Sequence, residues 1–250
     1  MVEDTQAERV KSVGSALRLL QIIAASPHPI SMRDAAEAAD IPRATAYRLV
    51  GTLVAEGYIL QDKDSQLLTV GYLVLPLAGN LLDKHRIRLA AMPYMEELAK
   101  AANIRVRIAT MFRGKIFSLG CVERPDLPPI HSYFGTMTSP HSCALGKAML
   151  AYMSDEELAE IVRISPLEAR TENTITNFDT LCSELKTVKQ QAFAIDNAEG
   201  ALNQYCLSAP IWSRDGSLVA AISVMRRELD SVLLVKEEVL RCAERISHVV

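Results

Sequence analysis

The hydrophobic pattern of residues 31–70 predicts two short helices followed by a two-stranded hairpin. Ser31, with Asp34 three residues later, is typical of a capped helix start, and a run of alanines follows. Pro42 interrupts this helix, because proline lacks a backbone N–H but suits the start of the next one. In the second helix, from about Arg43 to Glu56, apolar residues recur at spacings of three and four, which predicts one buried face.

The second helix ends at Gly57, a residue that readily adopts the left-handed conformation common after a helix. Two short apolar stretches, Tyr58 to Leu60 and Leu67 to Val70, predict strands joined by a polar turn. Ile30 is placed to add a third rung to this hairpin. Together these elements predict a winged helix-turn-helix, in which the hairpin is the wing.

A helix is also predicted over Val13 to Ala25, before the two helices already described. Its expected apolar stripe consists of five positions at helical spacing, Val13, Ala16, Leu17, Leu20 and Ile23.

The pattern changes after Gly71. An apolar segment over residues 72–82 is separated by a charged run, Asp83 to Arg86, from a helix over about Ile87 to Ala102. We therefore predict a winged helix-turn-helix over residues 10–72, a linker helix over 73–86 and a second domain over 87–250. The apolar linker residues favour a dimer contact, and an ordinary core helix of the second domain is an equal alternative.

The second domain mixes strands and helices, which predicts an α+β fold with an antiparallel sheet and flanking helices on one or both faces. The expected strands are 105–111, 115–122, 130–134, 192–196, 204–213 and 217–225, and 135–141 is expected to be a loop. The expected helices are 144–152, one opening at the capping box of Ser154, 177–190 and a closing helix over 232–249.

Composition narrows the class of protein. Hydrophobic residues make up 49% of the chain and charged residues 23%. No apolar run reaches the roughly 18–20 residues that span a bilayer, so a soluble cytoplasmic protein without a membrane partner is expected. The five scattered cysteines argue against a disulfide framework or a zinc finger. The net charge of −3 permits DNA binding without arguing for it, because a DNA reader needs positive charge only where it meets phosphates.

Six segments, spread in order over nearly the whole chain, resemble the IclR family of bacterial transcriptional regulators. They are Val13 to Leu20, Ile41 to Val50, Glu56-Gly57-Tyr58 with Leu67 to Gly71, His141 to Ala148, Asp196 through Glu199 and Cys206 to Pro210, and Ala220 to Val224. The resemblance implies a winged helix-turn-helix, a linker helix and a GAF-like effector domain. It also implies dimers, often paired as tetramers, a palindromic DNA operator, and a small, frequently acidic effector from carbon catabolism. Repression is the commoner outcome in the family, and no cofactor is expected.

The candidate DNA-binding residues lie at the start of the second helix of the helix-turn-helix, which in such motifs enters the major groove. Arginine can bind guanine with two hydrogen bonds, and threonine and tyrosine hydroxyls can bind phosphate or base edges. The candidates are Arg43, Thr45, Tyr47 and Arg48, with Lys63 on the wing placed for a phosphate contact. Ala44 stands where the family more often has serine. The alternative is a solvated surface on a protein-interaction domain.

The candidate effector residues come from two regions of the second domain. Gly146 lies near the start of a helix, where free N–H groups favour an anion, and Ser142 and Leu145 flank it. The resemblance implies that three further residues, Asp196, Cys206 and Ser223, line the effector pocket. The alternatives are a buried core thiol for Cys206 and a serine bonded to the backbone for Ser223.

Two departures from the family pattern bear on the ligand. Asn203 stands where glycine is common, and Met225 stands where many relatives have a second serine. A methionine makes the pocket less polar, which favours an aromatic acid or a related amide.

Three other classes stay open at this stage. Cys206 with Lys147, Asp196 or Glu199 suggests a thiol-dependent amidohydrolase, although no hydrolase motif surrounds these residues. His141 and Cys143, together with Cys206, form a weak pattern for a metal site, and we predict no metal. An oligomerisation protein that does not bind DNA is the remaining alternative.

Overall fold

The computed structural model describes residues 10–124 and 135–250. The predicted strand over residues 130–134 lies outside these ranges. The chain divides into two compact units, Met1–Asp83 and Lys84–Val250, and each is described by itself.

The first unit is a winged helix-turn-helix, as predicted. Its elements are α1 (Lys11–Ala25), α2 (Met32–Ala38), α3 (Arg43–Ala55), β1 (Ile59–Gln61), β2 (Leu68–Val70) and α4 (Val74–Lys84). Strands β1 and β2 pair antiparallel, with Ile59 opposite Val70. Ile30 forms a bridge to Leu68, which confirms the predicted third rung of the wing.

Local interactions explain where the helices of this unit begin and end. The Ser31 hydroxyl accepts a hydrogen bond from the backbone N–H of Asp34 (3.1 Å), which caps α2. Asp40 adopts a left-handed φ of 52° between α2 and α3. Pro42 then immediately precedes α3. Gly57 follows the C-terminal end of α3 and adopts a left-handed φ of 75°, as its sequence position predicts.

The predicted apolar stripe of α1 is partly wrong. Leu19 and Ile23 are the buried residues of this helix, whereas Val13 and Leu17 are 56% and 53% exposed. The helix carries apolar residues around much of its circumference, so spacing alone does not determine which face meets α2 and α3.

Helix α4 also exposes apolar side chains. The structure describes this helix in full, and none of its residues is buried within the unit. Leu75, Leu77 and Leu81 are all exposed. Contiguous apolar exposure of this kind marks interaction surfaces in soluble proteins.

The second unit is an α+β domain around a six-stranded antiparallel sheet, which confirms the predicted fold class. Its elements are α5 (Arg86–Ala102), β3 (Arg105–Phe112), β4 (Lys115–Val122), β5 (Met137–Thr138), a short 3-10 helix (Pro140–Ser142), α6 (Ala144–Leu150), α7 (Asp155–Ile164), α8 (Phe178–Gln191), β6 (Ala194–Asn197), β7 (Tyr205–Trp212), β8 (Leu218–Arg226), α9 (Leu229–Leu233) and α10 (Lys236–Ser247). The strand order is β5-β4-β3-β8-β7-β6.

Helices cover both faces of this sheet. On one face, α5 and α10 pack around core residues that include Met95, Ile108 and Leu207. On the other face, α6 and α8 pack around a second core that includes Leu145 and Leu181. Polar side chains occupy the part of this second sheet face that the core residues do not cover.

Several predicted element bounds differ from the observed ones. The closing helix over 232–249 is two helices, α9 and α10, with a break at Val235. Strand β6 begins at Ala194, because Ala192 adopts a left-handed φ of 62° and ends α8. The predicted loop over 135–141 contains β5, which pairs with β4. The capping box of α7, formed by Ser154 and Glu157, is confirmed.

Candidate functional site

The exposed side of α3 carries the predicted DNA-binding residues. Ala46 and Val50 are buried against the rest of the first unit. All four candidates of this helix are exposed, namely Arg43, Thr45, Tyr47 and Arg48. Lys63 is exposed in the turn between β1 and β2. The helix contains two arginines and no acidic residue, so its exposed side has the charge that phosphate contacts need.

In the second unit, the strand register brings polar residues together on one face of the sheet. Asp196 of β6 pairs with Cys206 of β7, which in turn pairs with Met225 of β8. Met225 pairs with Arg105 of β3, which completes one row across four strands. Directly paired residues point to the same face, so these side chains form a continuous strip.

A second row lies two residues further along the strands and therefore on the same face. Ser208 of β7 pairs with Ser223 of β8, and Ser223 pairs with Arg107 of β3. The Ser208 hydroxyl donates a hydrogen bond to the Ile222 carbonyl (2.7 Å), which satisfies it within the sheet.

A small cavity opens over these rows. It has a volume of about 50 Å³ and is lined by residues of β3, β7 and β8 and of the segment before β7, namely Arg105, Arg107, Gln204, Cys206, Ser223, Val224 and Met225. Two predicted effector residues, Cys206 and Ser223, thus line one cavity. The two arginines were missed by sequence reasoning. Their alternation with Val106 was the available indication, because it places both guanidinium groups on one face of β3.

Asp196 is buried at the end of β6. Its Oδ1 accepts hydrogen bonds from the backbone N–H groups of Glu199 (2.7 Å) and Gly200 (3.3 Å). Burial raises the pKa of this carboxyl group to about 6, and the nearby charge of Glu199 adds to the effect, while the two backbone hydrogen bonds oppose it. At neutral pH the ionised carboxylate of Asp196 therefore lowers the stability of the fold, although two backbone hydrogen bonds hold it in place.

Two of the remaining predicted effector residues, Leu145 and Gly146, serve the packing of α6. Leu145 is part of the core beneath α6. A Cβ atom on Gly146 would lie 2.1 Å from the carbonyl oxygen of Pro140, so only glycine allows this approach. The Ser142 carbonyl oxygen approaches Gly200, where a Cβ atom would lie 2.8 Å from it and 3.3 Å from Asp196 Oδ2. The structure thus brings Ser142 close to Asp196 through Gly200.

A buried ion cluster supports the turn that holds Asp196. The Lys147 side chain is 1% exposed, and its Nζ bonds the carboxylates of Glu199 (2.6 Å) and Glu184 (2.9 Å). Burial acts to lower the pKa of Lys147, but the two carboxylates outweigh it and the pKa is raised. Because the backbone N–H of Glu199 also bonds Asp196, the cluster connects α6 and α8 to the candidate effector site.

The environment of Cys206 does not favour nucleophilic catalysis. Burial raises the pKa of this thiol far above its usual range, and the charge of Asp196 adds to the shift. The neutral thiol is then the form present at neutral pH, whereas the thiolate is the nucleophile. Lys147, a proposed partner of Cys206, is bonded to two carboxylates instead.

The residues of the hypothetical metal site are also in surroundings that shift their pKa values. His141 Nε2 lies 3.0 Å from the Glu168 carbonyl oxygen, and burial lowers the pKa of this imidazole. Burial raises the pKa of Cys143 to about 11. Within residues 10–124 and 135–250, no three His, Cys, Asp or Glu side chains are arranged to hold a metal ion.

A winged helix-turn-helix with an exposed basic helix, carried in one chain with an α+β domain that contains a polar cavity, defines a class of DNA-binding regulators. Residues 12–63 match the family model for the IclR helix-turn-helix domain, and residues 79–248 match that for the bacterial transcriptional regulator IclR C-terminal domain. The chain therefore belongs to the IclR family of bacterial transcriptional regulators, as the sequence resemblance predicts.

Individual relatives are similar to this chain in sequence or in fold. The HTH-type transcriptional repressor AllR of Escherichia coli (strain K12) is 25% identical over 224 residues, which cover 88% of this chain and 83% of AllR. The crystal structure of an IclR family regulator from Brucella abortus is similar at a TM-score of 0.84 and 21% identity, with 100% of this chain and 96% of that chain covered. An IclR homologue from Microbacterium hydrocarbonoxydans, crystallised with 4-hydroxybenzoate, has a TM-score of 0.79 at 20% identity, with 95% and 98% covered.

None of the helices in the described residues combines the length and the apolar character that a transmembrane span requires.

Proposed function

We propose that this protein is a ligand-responsive repressor of a catabolic operon, which leaves or repositions on its operator DNA when a small carboxylic acid binds the second unit. The observation that carries the proposal is the polar cavity, in which Arg107, Cys206 and Ser223 converge. An arginine matches the planar geometry of a carboxylate, and a serine hydroxyl supplies a further hydrogen bond. Acting on operator DNA, the protein would work in the cytoplasm.

The mechanism we infer has two states. The acid binds one conformation of the second unit more tightly than the other, and this difference in affinity sets how far DNA occupancy can change. Support for repression comes from AllR, and support for an acid comes from the Microbacterium homologue with its 4-hydroxybenzoate. Met225 borders the cavity, which keeps aromatic acids among the ligands to be tested.

We also propose that the protein acts as a homodimer or as a pair of dimers. The exposed apolar residues of α4 and the exposed Val13 and Leu17 of α1 offer a surface for a second copy. A two-fold dimer would present two α3 helices to two half-sites of a palindromic operator.

The DNA-binding part of the proposal predicts that Arg48→Ala weakens operator binding by about 10- to 100-fold, since one good arginine contact with a base contributes about 1–3 kcal/mol. Arg43→Ala should have an effect of the same size. Fluorescence anisotropy on the DNA upstream of the protein's own gene, at several salt concentrations, measures both. Lys63→Ala should weaken binding less and lower the salt dependence, because a wing lysine contacts phosphate.

A suitable control is Arg163→Ala, because Arg163 pairs with Glu160 on the exposed surface of α7 (2.6 Å), in the second unit. Binding to a random duplex gives the non-specific level. If neither the upstream DNA nor a genomic library binds above that level, with or without candidate acids, the repressor proposal is wrong. Equal binding by the wild type and Arg48→Ala would instead reject the assignment of α3 as the reading helix.

The environment of Asp196 predicts that Asp196→Asn stabilises the second unit by about 3 kcal/mol at neutral pH. The folded-state pKa is about 6 and the ordinary value is 3.8, so the folded protein binds more protons than the unfolded chain between these values. The wild type therefore loses stability as the pH rises through this window, and the variant does not.

The gain from Asp196→Asn should be complete above about pH 7, shrink as the pH falls through 6 and vanish near pH 3, below the ordinary pKa of the carboxyl group. Urea unfolding followed by tryptophan fluorescence measures it, because the single tryptophan, Trp212, lies in β7 of the same unit. A variant that is less stable than the wild type at neutral pH would contradict this account of Asp196.

A further inference from the structure

A second cavity adjoins the candidate effector cavity at the end of the sheet. It has a volume of about 450 Å³ and is lined by four arginines and one methionine, Arg105, Arg124, Met225, Arg226 and Arg227. Arg105 and Met225 line both cavities, so the two spaces are neighbours on either side of this pair. Among the described residues that line the two cavities, every charged side chain is an arginine.

Some of this charge already has a structural role. Arg105 Nε lies 2.5 Å from Glu123 Oε1, and both side chains are largely buried. Arg226 Nη2 donates a hydrogen bond to the Ala102 carbonyl oxygen at the end of α5 (2.7 Å). Arg227, in contrast, is exposed at the mouth of the second cavity. These contacts fix Arg105 and Arg226 in the wall, and the carboxylate of Glu123 offsets the charge of Arg105.

We propose that the effector carries two anionic groups, one bound by Arg107 and Ser223 in the small cavity and one bound by Arg124 and Arg227 in the large one. This inference rests on the proposed function, since it names the ligand class of the same site. A compact organic dianion, either a dicarboxylate or a phosphorylated carboxylate, has the required chemistry, because arginine binds carboxylate and phosphate groups equally through paired N–H donors.

The two receiving positions lie on either side of Arg105 and Met225, which line both cavities. A monoacid would fill the first position and leave the second cavity to water, so the second charge should add affinity.

The test compares matched ligand pairs by isothermal titration calorimetry on the full-length protein. Adipate is compared with its monomethyl ester, which removes one charge at nearly constant size. 3-Phosphoglycerate is compared with glycerate, which distinguishes a phosphorylated ligand from a dicarboxylate. In the wild type, at least one dianion should bind about tenfold more tightly than its partner of lower charge.

Variants of the lining arginines show where the second anionic group of the ligand binds. Arg124→Gln combined with Arg227→Gln should reduce the difference within a pair to less than about threefold and leave the weaker partner unchanged. Arg107→Gln should weaken both members of the pair together. Arg163→Gln on α7 is the control for general loss of positive charge. Urea unfolding of each variant confirms that it is folded.

The outcomes separate the two proposals. If the monoacids bind and release operator DNA, but neither dianion binds more tightly, the dianion inference is wrong and the proposed function stands. If the dianion preference survives in the Arg124→Gln and Arg227→Gln double variant, the assignment of the second cavity is wrong. If no acid binds and none releases DNA, the proposed acid response fails and the inference fails with it.

Discussion

Replacing Lys147 with methionine is expected to lower the free energy of unfolding of the second unit by about 3–5 kcal/mol. The Lys147 ammonium group is 1% exposed and is the partner of both Glu199 and Glu184. Glu184 is partly exposed and can turn to water, but the Glu199 side chain is 5% exposed and would keep its charge in a dry site. An uncompensated buried carboxylate accounts for most of the expected loss.

Urea unfolding followed by the fluorescence of Trp212 measures this change directly. The ring of Trp212 meets that of Tyr152 edge-on at 4.7 Å, just beyond α6, so its emission reports on the structure around the cluster. Lys186→Met removes an exposed lysine from α8 and should change stability by less than about 0.5 kcal/mol.

A double variant tests the reason for the loss. Adding Glu199→Gln to Lys147→Met removes the unpaired charge and should restore part of the lost stability. If Lys147→Met alone is as stable as the wild type, the cluster contributes nothing to the fold. If the double variant is no more stable than Lys147→Met, the loss comes from packing rather than from the charge on Glu199.

The ion cluster also links Asp196 of the candidate effector site to helices α6 and α8. Glu199 bonds Lys147 through its side chain and Asp196 through its backbone N–H. A ligand that moves Asp196 therefore acts on a turn that is attached to both α6 and α8. The turn between β6 and β7 thus joins the candidate effector site to α6 and α8.

Local features of the sequence predict much of the fold correctly. The hairpin of β3 and β4 turns at Arg113 and Gly114, and both adopt left-handed φ values (48° and 71°) of the kind that tight hairpins favour. The capping box at Ser154 and the wing follow in the same way from a few adjacent residues. Each of these features is decided by neighbours in the chain, which is why pattern alone is enough.

The candidate site depends on contacts that no local pattern contains. Arg107 and Ser223 are 116 positions apart in the sequence and become neighbours because β3 pairs with β8. The family resemblance implies a pocket role for Ser223 but does not reveal the arginines beside it. Spacing mispredicts the inward face of α1 for a related reason, since only packing against α2 and α3 selects Leu19 over Val13 and Leu17.

Gly146→Ala is expected to destabilise the second unit by at least about 3 kcal/mol, more than most overpacked core substitutions. The added Cβ atom would lie 2.1 Å from the carbonyl oxygen of Pro140 and 2.4 Å from its Cα atom. Both atoms belong to the backbone of the short 3-10 helix that packs on α6, so no side-chain rotation relieves the clash. Relief requires moving that segment away from α6, which opens the core around Leu145.

The sequence assigns Gly146 to effector binding, and the structure adds a packing role, so the measurement must separate the two. Thermal unfolding by circular dichroism gives the stability, and anisotropy on operator DNA gives the response to acids. Gly79→Ala is the control, because Gly79 lies in α4 with no atom within 4 Å of its added Cβ, and it should gain about 0.5–1 kcal/mol. A Gly146→Ala protein as stable as the wild type but unresponsive to acids would reject the packing role and support the binding role.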